Sequence, residues 1–378
     1  MKKDKKKETV FVAISGGVDS AVSAALLKQQ GFEVVGVFMS TWHPDFLECN
    51  EEEEKRDAMR VSAYLDIPFL TFDFEDVYKK EVGNYMISEY KKGKTPNPDV
   101  MCNKHVKFGA FLDEALRRGA DFIATGHYAR VSPLPTLPLL RGGQGWGLLR
   151  GIDSAKDQSY FLWALTQEQL KRTLFPVGNL KKEVVRKLAE KFGLPVAEKK
   201  DSQGICFLGE VDLKKFLKHY IKEKKGKVVL APPEAGNEKG EVIGHHDGVF
   251  FHTLGERHGF TIVKKSPKDK PYYIIGKDVK KNILIVSQSF PPDSPRWSSG
   301  EAGKGEAKGV IKLKNTNWIS GTPEENKKYT AQIRYHGEQL PCKVKSNEVI
   351  FAKPILAAPG QSCVIYDHDI CLGGGIVV

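Results

Sequence analysis

A doubly wound α/β domain followed by β-rich modules is the fold class this sequence predicts, and three observations predict it. Short β-rich runs alternate with helical stretches over residues 9–130. A Ser-Gly-Gly loop at 15–17 joins the first such run to a helical segment. From about residue 226 the texture changes to short strands broken by Gly, Pro, Asp and Asn. Alternation points to a parallel sheet with helices on both faces. Evenly spaced short strands point to a small barrel.

Taken in order, Val10–Ile14 is an apolar run of strand length, and Ala21–Gln30 is helical up to Gly31. Glu33–Met39 reads as a second strand, and residues 51–65 as a helix whose acidic opening, Glu51–Glu54, suits the positive end of the helix dipole. Pro68–Thr71 with Phe72 gives a third strand, Asp76–Lys92 and Phe108–Arg118 two helices, and Asp121–Thr125 a fourth strand. Ligands of such sheets gather at the carboxyl ends of the strands. The 15–20 loop, Met39 and Gly126 all fall there. Residues 132–147 read as a loop or hairpin, and Leu180–Phe192 as a helix stopped by Gly193 and Pro195. Seven short strands follow between Tyr272 and Val378, and residues 291–308, rich in Pro, Ser and Gly, read as a loop.

The bulk composition narrows the function classes. A chain of 378 residues with 40% apolar content suits two or three folded domains. No segment reaches the roughly 18 to 20 apolar residues of a membrane span, and the Lys-rich start enters a strand without the apolar stretch of a signal peptide. A cytoplasmic protein is the expectation. Six cysteines, none as Cys-x-x-Cys, argue against a disulfide scaffold or a structural zinc site. A net charge of +11 suits a polyanion such as nucleic acid, as it does a merely Lys-rich surface.

Ser15-Gly16-Gly17-Val18-Asp19-Ser20 carries the clearest chemistry. Two glycines admit close backbone approach, N–H groups and a helix N-terminus favour an anion, and the serines add hydroxyl donors. Asp19 fits such a nest if it holds Mg²⁺ on the phosphates. The loop lacks the Gly-Lys-Ser/Thr ending of a Walker sequence; a plain strand-to-helix turn is the other reading. Two thiols sit in unusual contexts. Cys102 follows Thr95-Pro96-Asn97-Pro98-Asp99, precedes Lys104 and Lys107, and has a helix soon after. Those cations and the helix favour thiolate, and Asp99 suits a proton-transfer role. Cys206 follows the polar turn Asp201–Gly204. Taken alone, either thiol reads first as a small buried apolar group. Cys342, Cys363 and Cys371 read as packing within strands. Lys156-Asp157-Gln158 before Ser159-Tyr160-Phe161-Leu162-Trp163 offers donors and stacking faces to a nucleotide or RNA, or else caps a helix. Arg334-Tyr335-His336 sets a cation beside an aromatic, which suits RNA, or else reads as a surface strand.

In this order the segments SGGVDS at 15–20, TPNPDVMCN at 95–103, GHYAR at 126–130, KDQSYFLW at 156–163, DSQGICF at 201–207, APGQS at 358–362 and LGGG at 372–375 resemble bacterial tRNA-specific 2-thiouridylases, members of the PP-loop ATP pyrophosphatase superfamily, along nearly the whole chain. The resemblance implies an ATP pyrophosphatase domain over 1–212, a small central domain over 213–284 and a C-terminal β-barrel over 285–378. It implies ATP- and Mg²⁺-dependent 2-thiolation of the wobble uridine in tRNAs for Lys, Glu and Gln. Ala13, Ile14, Ser15, Gly16, Gly17, Val18, Asp19 and Ser20, with Met39 and Gly126, would bind ATP. Cys206 would carry sulfur as a persulfide, Cys102 would attack that persulfide or be its partner thiol in a transient disulfide, and Asp99 would be the general acid/base. Asn97, Pro98 and Asp99 would line the target-base pocket, and His127, Lys156, Asp157, Gln158, Arg334, Tyr335 and Gln361 would meet tRNA. A sulfur-donor protein, either a cysteine desulfurase or a relay protein, is implied as partner; a monomer is the expectation.

The chain departs from the family pattern at Phe251-His252-Thr253-Leu254-Gly255-Glu256-Arg257, where the family has Tyr-Thr-x-Gly-Gln-Arg. Glu256 then sets a negative charge near a proposed RNA surface. Two other readings compete: an adenylating enzyme acting on a small molecule, which needs neither thiols nor RNA, and a non-catalytic RNA-binding protein.

Overall fold

The structure, a computed structural model, describes residues 7–47, 50–138, 144–201, 213–231, 240–264, 266, 269–288 and 309–378. Cys206, Cys49 and the 291–308 segment lie outside them.

The first sheet is built from β1 (Thr9–Ala13), β2 (Glu33–Ser40), β3 (Phe69–Asp73), β4 (Phe122–Ala124) and β7 (Thr173–Leu174), in the order β3-β2-β1-β4-β7. Every pairing in it is parallel. The sequence explains this directly. Alternate residues of β1 and β2 face two different cores: Phe11, Ala13, Val37 and Met39 pack on one side, and Val10, Val12, Val34 and Phe38 on the other. A strand apolar on both faces belongs in a sheet covered on both faces. α1 (Val18–Gln29) and α2 (Glu51–Tyr64) pack against the second of these cores through Val22, Leu27, Ala58 and Val61. The chain leaves β1 for β2 and β3 on one side, and β4 takes the other. The strand order therefore reverses between β1 and β4, which opens a crevice at their carboxyl ends.

The 132–147 region forms a hairpin, β5 (Ala129–Pro138) and β6 (Gln144–Arg150). It leaves the first domain and joins the C-terminal sheet, where Leu148 and Leu149 pair with Cys371 and Ile370.

The central unit is a mixed sheet of β8 (Gly226–Leu230), β9 (Val242–His246), β10 (Thr261–Ile262), β11 (Tyr273–Asp278) and β12 (Ile283–Ser287), in the order β10-β9-β8-β12-β11. The expected boundary at 284 falls inside β12. That strand pairs with both β8 and β11, so the central unit runs to at least Ser287.

The C-terminal unit comprises β13 (Gly309–Trp318), β14 (Tyr329–Gln332), β15 (Leu340–Lys345), β16 (Glu348–Phe351), β17 (Ser362–Asp367) and β18 (Ile370–Val377). Their order is β13-β16-β15-β14-β17-β18, and β13 pairs back onto β18 to close an antiparallel barrel. Gly373, at φ +126°, lies where an added Cβ would meet Asn317 O at 2.0 Å. The LGGG string is the seam of the barrel.

The three units share a core. Phe216 and Leu217 of the Leu213–Tyr220 helix, Phe251, and Val364, Tyr366 and Ile376 of the barrel belong to the same buried cluster as Phe11 and Met39. No helix among the described residues is long and apolar enough to cross a membrane.

Candidate active site

The crevice at the carboxyl ends of β1 and β4 holds a cavity of about 550 Å³. That volume falls within the roughly 300–1,000 Å³ of small-molecule pockets. Of the expected nucleotide contacts, Ala13, Ile14, Ser15, Gly17, Val18, Asp19, Ser20, Met39 and Gly126 all line it. Gly16 does not: at φ +71°, it turns the loop against α2, where a Cβ would sit 2.5 Å from Glu54 O. No side chain caps α1 at Gly17, so its first turn presents backbone donors to the cavity. The Ser20 hydroxyl donates to Gly17 O at 3.0 Å and holds the turn closed. Gly126 approaches so nearly that a Cβ would lie 2.7 Å from Ser20 N. These are the features of a cradle for phosphate and nucleoside, and ATP fits it.

Asp19 is more engaged than the sequence indicates. Its Oδ1 accepts from Tyr128 Oη at 2.8 Å and from Lys182 Nζ at 2.7 Å. Both bonds use the same oxygen, which leaves Oδ2 as the candidate ligand of Mg²⁺. Burial, with the Asp19 charge beside it, raises the Tyr128 phenol far above its ordinary value, so it stays a neutral donor. Lys182 Nζ also reaches Asp201 Oδ1 at 2.8 Å, and Lys156 Nζ reaches Asp201 Oδ2 at 2.7 Å. Arg186 donates to the same carboxylate. Burial works against charge on Asp201, but the bonds from Lys156 and Lys182 outweigh it and hold the carboxyl below its usual range. Tyr128 and Asp201 belong to the GHYAR and DSQGICF strings, whereas Lys182 carries no motif signal; folding brings all three to the loop.

The other end of the cavity is lined by Asp99, Asn103, Lys107, Phe161 and Tyr335. The segment carrying Asp99 and Cys102 is one continuous helical run: α-helical over Pro98–Met101, π-helical over Cys102–Ala110, α-helical again over Phe111–Arg117. The sequence reading started this helix after Cys102. It starts before it, because Asn97 caps it, its Oδ1 accepting from Val100 N at 3.2 Å, and Pro98 takes the first position. Cys102 is fully buried in the core shared by the three units. Asn97 hydrogen-bonds Tyr160, and Tyr160 Oη donates to Ser362 O at 2.9 Å. Neither Asn97, Pro98 nor Cys102 lines the cavity itself.

The loop before Asn97 is held from two sides. Thr95 N donates to Pro359 O at 2.8 Å, and Gly360, at φ +95°, packs where a Cβ would lie 3.0 Å from Thr95 N. The Thr95 hydroxyl meets that of Thr253 at 3.2 Å. Among the expected RNA contacts, Lys156, Gln158, His127 and Tyr335 line the cavity. Tyr335 lies over Phe161 with ring centroids 4.3 Å apart. His127 is buried, bonded to Thr125 Oγ1 at 2.6 Å, and kept neutral by burial and then by the Lys107 charge. Asp157 faces inward instead: it accepts from Gly151 N at 3.0 Å and from Ser159 N at 3.1 Å and orders the turn. Arg334 donates to Leu254 O at 3.1 Å, tying the barrel to the central unit. The Oε1 of Gln361 is buried without a hydrogen-bond partner. Glu256 is not a bare charge. Burial opposes its ionisation, yet the nearby His252 ring, 3.7 Å away, and bonds from Lys214 and Thr253 N bring its carboxyl down to about 2.

Burial raises the thiols of Cys342 and Cys371 to about 12 and that of Cys363 further still, so these three are packing groups.

Three family models cover the chain: the tRNA methyl transferase HUP domain over residues 8–210, the tRNA methyl transferase PRC-barrel domain over 214–288, and the aminomethyltransferase beta-barrel domain over 308–377. The tRNA-specific 2-thiouridylase MnmA of Streptococcus thermophilus is 43% identical over 99% of this chain and 96% of its own. The same-named protein of Stenotrophomonas maltophilia is 45% identical over 97% and 93%. Among solved structures, the U34-tRNA thiolase NcsA of Methanococcus maripaludis with its [4Fe-4S] cluster is 18% identical over 57% of this chain and 67% of that one, with a TM-score of 0.35. The alignment with the thiouridylases runs through all three units and leaves no unit unaccounted for: this chain belongs to the tRNA-specific 2-thiouridylase family.

Proposed function

We propose that the protein is a sulfurtransferase that uses ATP to replace the 2-oxygen of the wobble uridine of tRNAs for Lys, Glu and Gln with sulfur. The observation that carries this reading is one cavity with two unlike ends: a phosphate cradle at 13–15, 17–20 and 126, and a second end formed by Asp99, Asn103 and Lys107, which flank Cys102 in sequence, beside Phe161 and Tyr335.

A uridine carbonyl oxygen is a poor leaving group. In the proposed sequence that oxygen attacks the α-phosphorus of ATP and pyrophosphate departs. The residues' part is electrostatic: backbone donors of the first turn of α1 meet the phosphates, and Asp19 Oδ2 would ligate Mg²⁺, which neutralises charge there when bound. The terminal sulfur of a Cys206 persulfide, loaded by a sulfur-donor protein, attacks C2, and AMP leaves with the former carbonyl oxygen. The Cys102 thiolate then attacks the Cys206 Sγ; the S–S bond to the base breaks, 2-thiouridine is released, and a Cys102–Cys206 disulfide forms, to be reduced by an external thiol. Asp99 stands nearby as the proton-transfer group. The buried position of Cys102 supports a thiol kept from solvent oxidants until its partner arrives.

The test is mass spectrometry of nucleosides from tRNA incubated with protein, ATP, Mg²⁺ and a persulfide donor. A 2-thiouridine peak that requires ATP and disappears in Cys206→Ser, while pyrophosphate release continues, is the expected result. Thiolation that survives Cys206→Ser removes the persulfide route. Pyrophosphate release without any dependence on tRNA favours the small-molecule reading.

A further inference from the structure

We infer that Lys182 is a catalytic residue of the adenylating step, donating to the pyrophosphate as it leaves; the inference rests on the ATP-dependent reading above. Departure of pyrophosphate places growing negative charge on its oxygens, and a fixed cation there stabilises the transition state more than the ground state. A Walker loop carries such a lysine within itself. The 15–20 loop carries none, so the cation must come from elsewhere in the fold.

Lysines 107, 156, 182 and 200 line the cavity. Of these, Lys182 is the one bonded to the phosphate loop, at 2.7 Å from Asp19 Oδ1. Its side chain is only 14% exposed, where that of Lys156 is 40% exposed. It is held from several directions: Asp19 on one side, Asp201 on the other at 2.8 Å, and the Tyr128 ring with its centroid 5.9 Å away. Its backbone is pinned as well, because Lys182 N donates to Asp153 Oδ2 at 2.9 Å at the first turn of the Lys182–Lys191 helix. An ammonium has three donors. Two go to the carboxylates, and the third remains for a phosphate oxygen.

A purely structural role explains less. Asp201 already has Lys156 and Arg186, and Asp19 already has Tyr128, so neither carboxylate needs Lys182 to be satisfied. Among the described residues, Lys156, Lys182 and Arg186 surround these two acids. Of the three, Lys182 is the cation bonded to the loop built to hold anions. Lys182 uses Asp19 Oδ1, so Oδ2 would be left to hold Mg²⁺ while the third ammonium donor of Lys182 faces the phosphate site.

The test separates pyrophosphate from the nucleoside end. Magnesium pyrophosphate and AMP are titrated calorimetrically into the wild-type protein, Lys182→Met and Lys182→Arg, and turnover is followed as tRNA-dependent pyrophosphate release. The methionine variant is expected to bind pyrophosphate at least about tenfold more weakly and to bind AMP within about threefold of wild type. Its kcat should fall roughly 100-fold, and Lys182→Arg should recover most of the pyrophosphate binding. Unchanged pyrophosphate binding in Lys182→Met overturns the inference. So does an equal loss of AMP and pyrophosphate binding, which marks a scaffold role. If the wild-type protein itself releases no pyrophosphate with ATP and tRNA, the ATP reading falls and this inference with it, and that case is recognised because no substitution is needed to see it.

Discussion

The two ends of the cavity are built in opposite ways. The nucleotide cradle comes from one domain and mostly from short range: Ala13 to Ser20, all but Gly16, with Met39 and Gly126 from the ends of neighbouring parallel strands. The base end is composite. Asp99, Asn103 and Lys107 come from the first domain, Phe161 from the turn after the hairpin, and Tyr335 from the barrel. Its approach loop is braced by Thr253 of the central unit and Pro359 of the barrel. The phosphate end is therefore as rigid as the sheet that carries it. The base end depends on three units staying docked. That division suits an enzyme that must grip a small nucleotide always and a large RNA only in passing.

The sharpest way to break the comparison is to fill the rigid end. In Gly126→Val the new Cβ, 2.7 Å from Ser20 N, would push the phosphate loop out of place. Loss of ATP affinity or turnover on the order of 100-fold is expected, the usual consequence of a displacement near 1 Å at a reacting centre. Binding of tRNA, measured by filter retention, should stay within about threefold, because the barrel and the base end are untouched. A parallel loss of tRNA binding would show that the two ends are not separately built.

The composite end should give a smaller and complementary effect. Tyr335→Ala removes the ring lying 4.3 Å from Phe161. Loss of an aromatic pair weakens the base end by about 0.5–1.5 kcal/mol, so tRNA should bind roughly 2- to 13-fold more weakly, with ATP binding unchanged. A change in ATP binding, read by calorimetry, would place Tyr335 at the nucleotide and not at the base.

The same contrast governs what the sequence could disclose. The 15–20 loop is legible because its chemistry is contiguous: strand, two glycines, helix, with each residue's neighbours in space also its neighbours in the chain. Gly126 is legible as a strand end. Lys182 is not, since it is an ordinary residue of a Lys-rich stretch until the helix at 182–191 docks beside α1 and sets its first side chain against Asp19 and Asp201. Asp157 misleads in the opposite direction: a polar residue in a motif, it faces the backbone of Gly151 and Ser159. The helix through Cys102 shows a third case. The sequence places a helix after Cys102, whereas Asn97 and Pro98 are the cap and first position of the helix that already contains it. The barrel closes through a pairing of β13 with β18, and a first-domain hairpin adds to it; neither follows from local pattern, because each joins strands far apart in the chain.

The smallest expected effect concerns Glu256, which departs from the family's glutamine yet is well accommodated. Its carboxyl, near 2 in the folded protein, lies below the roughly 4.3 of an unfolded chain. A depressed carboxyl contributes stability that is complete above the unfolded value and is lost as the pH falls through the folded one. Glu256→Gln should therefore lower stability at pH 7 by about 1 kcal/mol, after allowance for its partial exposure. The difference should shrink from about pH 4.5 downward and be mostly gone near pH 2, followed by urea unfolding across that window. Because Glu256 holds Thr253 N at 2.9 Å, and Thr253 holds Thr95, the same substitution probes the bracing of the base end. Thiolation with a mildly raised KM for tRNA and an unchanged KM for ATP would tie this brace to the composite end; an equal rise in both would detach it.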